Sequence, residues 1–290
     1  MNNNFSTIKS FRQYLHSRLY HLYPSVEINA IADLIIMTVF NLNRLQQMLD
    51  PEHKISPARR KELMEICNKL EKGMPVQYII GETLFCNCRI KVNPGTLIPR
   101  QETEELVELI IKENPCFNGK IIDIGTGPGT IAIALASRMP DASVTAIDIS
   151  SEALETAKEN AKLNNVKITF FRADILKTGP ETFPDKFDLL VSNPPYVPES
   201  EKKNLHINVK EFEPGIALFV PDSDPLIFYR AILERINFLL APGKKIYFEM
   251  HEKMGAALNS LMISYGISEI RIIKDLNGKE RFITGIFKTT

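Results

Sequence analysis

KIIDIGTGPG (residues 120–129) runs straight into TIAIALASRM (130–139): an apolar run ends in glycine, and a helical pattern follows. Strand, glycine turn and helix in that order form the opening unit of a parallel α/β sheet. The alternation repeats downstream. SVTAID (143–148) reads as a strand, Ser150 and Ser151 cap the helix EALETAKENAKLN, and KITFFRAD (167–174) and FDLLVSN (187–193) are two more strands. The helix DPLIFYRAILERINFLL, the strand KKIYFEM, a helix through His251 to Tyr265 and the strands EIRIIKD and RFITGIF complete the series. The pattern predicts an α/β fold with a largely parallel, doubly wound sheet.

Upstream of this stretch the character differs. Residues 1–75 look helical: Ile31, Leu34, Ile35, Val39 and Phe40 recur at helical spacing, and Leu63, Ile66, Cys67 and Leu70 form a second stripe. Ser56-Pro57 opens that second helix, and Gly73 with Pro75 stops it. In residues 76–98 the period changes. VQYII (76–80) reads as a short strand, Gly81-Glu82 as a turn, and Leu84, Cys86, Cys88, Ile90 and Val92 as the buried face of one strand. The expected division is therefore a helical domain (1–75), a β-hairpin linker (76–98) and an α/β domain (99–290).

Composition narrows the function class. Lys+Arg and Asp+Glu are both 35 in 290 residues, so the bulk basic excess usual for a duplex-binding protein is absent. Hydrophobic residues at 44% and charged residues at 24% exclude long disorder. The four cysteines, Cys67, Cys86, Cys88 and Cys116, do not make a disulfide scaffold at this length. No run of 18 apolar residues predicts a membrane span, and the first residues lack a signal-peptide pattern. A cytoplasmic protein with reduced thiols is expected. Cys86 and Cys88 have no matching second pair, so packing is expected of them rather than metal binding.

In a doubly wound sheet, ligands bind beyond the carboxyl ends of the strands at the switch point. The first such end carries Asp123-Ile124-Gly125-Thr126-Gly127-Pro128-Gly129. Its spacing is G-x-G-x-G, so neither the dinucleotide fingerprint nor the phosphate-cradling P-loop is met. Asp148 follows the second strand, about twenty residues past Gly125, where a carboxylate can accept both hydroxyls of a ribose. Asp174 follows the third, where it could meet an adenine edge; a surface-turn aspartate explains it equally well. The fourth end carries Asn193-Pro194-Pro195-Tyr196. Two prolines remove two donors and leave an acceptor-rich corner, the Asn193 side-chain oxygen and the Pro194 carbonyl, beside the flat ring of Tyr196. Such a corner suits a planar NH2 group conjugated to a carbonyl or a ring.

DIGTGPG, AID and NPPY in this order resemble the S-adenosylmethionine-dependent methyltransferases that modify planar amino groups of adenine, cytosine, guanine or glutamine. PVQYIIG (75–81), IPRQETEELV (98–107), EPGIAL (213–218) and KDLNGKER (274–281) are similar to segments of the release-factor glutamine methyltransferase family, from about residue 70 to the end. The resemblance implies a small all-helical substrate-recognition domain, a β-hairpin linker and a Rossmann-like, seven-stranded class I methyltransferase domain. The activity implied is transfer of a methyl group to the side-chain nitrogen (N5) of the glutamine in the Gly-Gly-Gln motif of bacterial class 1 peptide chain release factors. By position, Gly125, Thr126, Gly127, Pro128 and Gly129 would wrap the methionine part of the cofactor, and Asp148 would hold the ribose. Asp174 and Ile175 would lie beside the adenine, where many relatives carry a bulky aromatic in place of Ile175. Asn193, Pro194, Pro195 and Tyr196 would hold the glutamine amide, Asn193 reaching the cofactor as well. No metal is implied, no stable partnership with nucleic acid and none with a membrane. Glutamine methylation of a ribosomal protein and amino methylation of nucleic acid stay open as alternatives. Arg100, Glu102 and Glu104 are candidates for the active-site wall or for a plain helix start; His251 and Glu252 receive no role.

Overall fold

Thr7 opens the first helix with a reciprocal cap: its hydroxyl accepts from the Ser10 amide, and the Ser10 hydroxyl accepts from the Thr7 amide. The computed structural model describes residues 5–183 and 185–288, and the chain separates into two units. The first runs through Gly81 and also takes in His206–Phe212. Its helices are α1 (Ile8–Leu19), α2 (Ser25–Phe40), α3 (Arg44–Leu49), α4 (Pro57–Glu71) and α5 (Val76–Ile80). Ser56 caps α4 by accepting from the Arg59 amide, with Pro57 at the first helical position. Phe11, Leu15, Ile35, Leu63, Cys67 and Leu70 are buried in one core. An Arg18–Glu71 ion pair ties α1 to α4. The returning segment docks through Asn208, whose side chain exchanges hydrogen bonds with the Tyr23 hydroxyl at 2.9 and 3.1 Å. Ile207 lies against Gly73, whose φ of +83° only glycine takes without strain.

Two expectations for residues 76–98 are corrected. VQYII is helix, not strand. Pro75 at its N-cap accepts from the Tyr78 and Ile79 amides, and Gly81, at φ +85°, donates to the Gln77 carbonyl and ends the turn. A five-residue apolar run carries no period that separates one helical turn from a buried strand. Nor is the alternation from Leu84 to Val92 one strand. β1 (Glu82–Phe85) and β2 (Cys88–Lys91) pair antiparallel around a two-residue turn, Cys86-Asn87, with φ +46° and +64°. Positive φ at both central positions makes the tight hairpin turn whose twist matches the strands. The hairpin thus spans Glu82 to Lys91, with Cys86 at its tip and its amide donating to Glu104 Oε1 at 3.0 Å.

The second unit holds α6 (Gln101–Glu113), β3 (Lys120–Ile124), α7 (Thr130–Arg138), β4 (Ser143–Asp148), α8 (Ser151–Leu163), β5 (Ile168–Arg172) and β6 (Phe187–Ser192). Two short strands, β7 (Val197–Pro198) and β8 (Phe219–Val220), pair with each other. Then come β9 (Leu240–Glu249), β10 (Ile267–Lys274) and β11 (Glu280–Phe287). One seven-stranded sheet has the order β10-β11-β9-β6-β3-β4-β5, all parallel except β11, which runs antiparallel to both neighbours. Ile121, Ile122, Leu189 and Leu190 of the central strands are buried. The chain leaves β3 toward β4 on one side and returns to β6 on the other, so the switch point lies at the carboxyl ends of β3 and β6. The expected helix through His251 begins later, at Gly255, leaving His251 in the turn after β9. Among the described residues no helix is long and apolar enough to cross a membrane.

Candidate active site

A cavity of about 280 Å³ opens at this switch point. Gly125, Thr126, Gly127, Pro128, Asp148, Asp174, Ile175, Asn193, Pro194 and Pro195 all line it, although four different strands deliver them. Gly129 and Tyr196 do not. Gly129 is the N-cap of α7, and a Cβ there would stand 2.9 Å from Ile133 Cδ1 and 3.1 Å from the Ala157 Cβ. Its glycine serves the close approach of α7 and α8. Tyr196 turns away: its ring packs on the sheet core, and its hydroxyl donates to Glu249 Oε1 at 3.1 Å.

The glycine loop is bare backbone. Gly125 and Gly127 have φ of +75° and +54°, with nothing within 4 Å of where a Cβ would sit. Asp148 accepts from the Gly127 amide through Oδ2 and from the Ser150 amide through Oδ1, both at 2.8 Å. Burial pushes its carboxyl up, and these amides pull it back. Each oxygen keeps a second lone pair for a hydroxyl donor. Asp123, at the root of the loop, is wholly buried. Its Oδ2 accepts from the Thr126 hydroxyl at 2.6 Å and the Ala132 amide at 3.2 Å, while Oδ1 has no partner among the described residues. Such an orphaned acceptor is costly unless a ligand or water completes it. Asp174 closes a local turn by accepting from the Leu176 amide at 3.0 Å and still borders the cavity beside Ile175.

At the other end, Ser192 donates to the Ile124 carbonyl at 2.6 Å and pins β6 to β3. Asn193 Nδ2 donates to Thr103 Oγ1 at 3.2 Å, and Thr103 in turn donates to Glu249 Oε2 at 2.7 Å. Arg100, on the cavity wall, pairs with the buried Glu213 at 2.5 Å and so holds the start of α6 to the loop carrying Pro214, Ile216 and Ala217. Of the candidate trio, Arg100 lines the cavity, Glu104 serves the hairpin tip, and Glu102 sits in the first turn of α6. Thr103 between them, with Glu249 and Glu213, receives no role in the sequence reading. The available signal is that Thr103 and Glu213 stand inside the family-like segments IPRQETEELV and EPGIAL; nothing comparable marks Glu249. His251 pairs with Glu201 and Glu252 with Lys279.

These residues fit S-adenosylmethionine. A bare glycine backbone suits the amino-acid end, Asp148 the ribose, and the apolar slot of Ile149, Ile175 and Leu176 a flat base. A methyltransferase structure from Pyrococcus furiosus, 19% identical, shares the fold at a TM-score of 0.51, over 69% of this chain and 89% of its own. The Methyltransferase small domain family matches residues 101–212, and the PrmC N-terminal domain family matches 10–81. Fold and site together define a class I S-adenosylmethionine-dependent methyltransferase. The release factor glutamine methyltransferase of Bacteroides thetaiotaomicron is 42% identical over 93% of this chain and 97% of its own. That of Flavobacterium psychrophilum is 42% identical over 97% and 99%. The chain belongs to the release factor glutamine methyltransferase family.

Proposed function

We propose that the protein methylates the side-chain nitrogen (N5) of the glutamine in the Gly-Gly-Gln motif of class 1 peptide chain release factors. The observation that carries this reading is that Asn193, Pro194 and Pro195 border the same cavity as the glycine loop and Asp148. An acceptor corner therefore faces the methyl donor's pocket.

S-adenosylmethionine, when bound, supplies an electrophilic methyl group on sulfur. The backbone of Gly125, Thr126, Gly127 and Pro128, with Asp148, would hold it. The rest belongs to the chain's own groups. An amide nitrogen is a weak nucleophile because its lone pair is shared with its carbonyl. The Asn193 side-chain oxygen and the Pro194 carbonyl accept its two N–H groups and fix its plane. They also favour the positive charge that grows on nitrogen in the transition state. The apolar walls exclude water, which strengthens these contacts. No strong base is needed, because an alkylated, protonated amide is very acidic. Asn193 is thus a catalytic residue, and Tyr196, facing Glu249, supports the corner from behind.

The test is transfer of labelled methyl to a purified release factor, with mass spectrometry of the Gly-Gly-Gln peptide and a glutamine-substituted control. Label on that glutamine and none in the control is the expected result. Asn193→Ala should abolish transfer while cofactor affinity stays within a few fold. Absence of label with cofactor binding intact overturns the substrate assignment and returns it to ribosomal proteins or nucleic acids.

A further inference from the structure

The hydrogen bonds behind Asn193 have a direction. Glu249 is buried at the end of β9, and an ionised carboxylate offers only acceptors. One oxygen takes the Tyr196 hydroxyl hydrogen at 3.1 Å, and the other takes that of Thr103 at 2.7 Å. A hydroxyl has one hydrogen to give. Having given it to Glu249, Thr103 can only accept from Asn193, 3.2 Å away. The Asn193 group facing Thr103 is therefore its NH2, and its oxygen is left for the cavity that Asn193 lines. The Tyr229 hydroxyl donates to the Glu249 carbonyl at 2.8 Å and holds the strand end in place.

We propose that Glu249 and Thr103 are positioning residues that lock the Asn193 amide with its oxygen toward the substrate nitrogen. The proposal rests on Asn193 being the acceptor for the substrate amide. With the amide flipped, its NH2 would meet the substrate NH2, two donors with no acceptor between them. The relay thereby selects a substrate that presents N–H groups.

Four variants test it: Thr103→Val, near in shape but without the hydroxyl; Thr103→Ser, which keeps it; Asn193→Asp; and Asn193→Asp with Glu249→Gln. Thr103→Val should lower kcat by roughly 10–100-fold, the loss of one charge-linked hydrogen bond, with KM for the release factor and cofactor affinity moving far less. Thr103→Ser should recover most of that loss. In Asn193→Asp, two carboxylates compete for one Thr103 hydrogen. Adding Glu249→Gln reverses the chain: the glutamine oxygen still accepts from Tyr196, its NH2 donates to Thr103, and Thr103 donates to residue 193. The double variant should therefore exceed Asn193→Asp in kcat by roughly tenfold, where independent defects would make it worse. Unchanged kcat in Thr103→Val, or a double variant no better than the single, overturns the relay.

A readout without substrate separates this proposal from the function itself. In ¹⁵N spectra, an Asn193 side-chain amide proton held by Thr103 should exchange slowly, and Thr103→Val should speed its exchange roughly tenfold. No change overturns the relay even if release factor is methylated. If wild-type protein leaves release factor unlabelled, the substrate assignment fails, and the exchange result still decides the relay.

Discussion

Burial raises two carboxyls in the second unit, Asp123 and Glu249, to about 7. For Asp123, burial is opposed by the Thr126 hydroxyl and the Ala132 amide and reinforced by Asp148. For Glu249, it is opposed by Thr103, Tyr196 and Arg281 of β11 and reinforced by Glu102 of α6. Folding thus raises both above their values in the open chain. Between about pH 4 and pH 7 the folded chain holds protons that the unfolded chain has released. Stability from these groups is therefore lost as pH rises through that window and levels off above it. We expect Asp123→Asn to flatten the fall in melting temperature between pH 5.5 and 7.5; an unchanged slope counts against a shifted Asp123. Glu249 has a second consequence, because protonation turns one of its oxygens into a donor and breaks the order of bonds reaching Asn193. We expect kcat to fall on the acid side near pH 7 in wild type. The sequence exposes Asn193 because its prolines stand beside it. It hides Glu249 and Thr103, which meet across 146 residues. No local pattern marks a pair that only the sheet order brings together.

Between elements, α8 works as a false strand. Asn160 gives and takes one hydrogen bond each with the Lys91 backbone, at 3.0 and 2.8 Å, and Asn164 does the same with Arg89, at 2.7 and 3.0 Å. Four residues of helix rise about 6.0 Å and two residues of strand about 6.6 Å, so the two side-chain amides match the spacing of β2. They stand in for a neighbouring strand and cover an edge that would otherwise be open. Asn160 also donates to the Pro128 carbonyl at 2.9 Å and so ties the hairpin to the glycine loop. We expect Asn160→Ala to cost about 1–3 kcal/mol and to weaken cofactor binding, because it strands buried backbone groups. Asn164→Ala, at a wetter position, should cost less than about 1 kcal/mol and leave binding alone. Thermal melts and calorimetry on both variants check this, and equal effects would refute the division. The hairpin itself was only half legible. A two-residue turn flips the buried parity: Phe85 faces inward before it and Cys88 and Ile90 after it, while Leu84 is exposed, so the apolar letters at 84, 86, 88, 90 and 92 imitate one strand that the chain does not form. The reversal at Cys86-Asn87 is made by positive φ at both residues, which their side chains do not announce.

At the scale of the molecule, the alternation of strands and helices made the doubly wound sheet readable, and seven strands followed from the family resemblance. The excursion of His206–Phe212 into the first unit was not readable, because HINVKEF has the composition of any polar loop helix. The contact that anchors it is specific. A Cβ on Gly73 would lie 2.9 Å from Ile207 Cγ2, at a φ of +83° that alanine tolerates poorly. We expect Gly73→Ala to raise amide exchange across 206–212 while β3 and β6 keep their protection; unchanged exchange in that segment would show the contact to be incidental. The same excursion sets a timetable. The helical unit leaves the ribosome first, yet its last piece is encoded after β6. At about 5–20 residues per second, it waits on the order of ten seconds for Asn208 to arrive and pair with Tyr23. During that interval the nascent helices stand without the segment that completes them. Their assembly is finished by sequence that the ribosome delivers only with the α/β unit well under way.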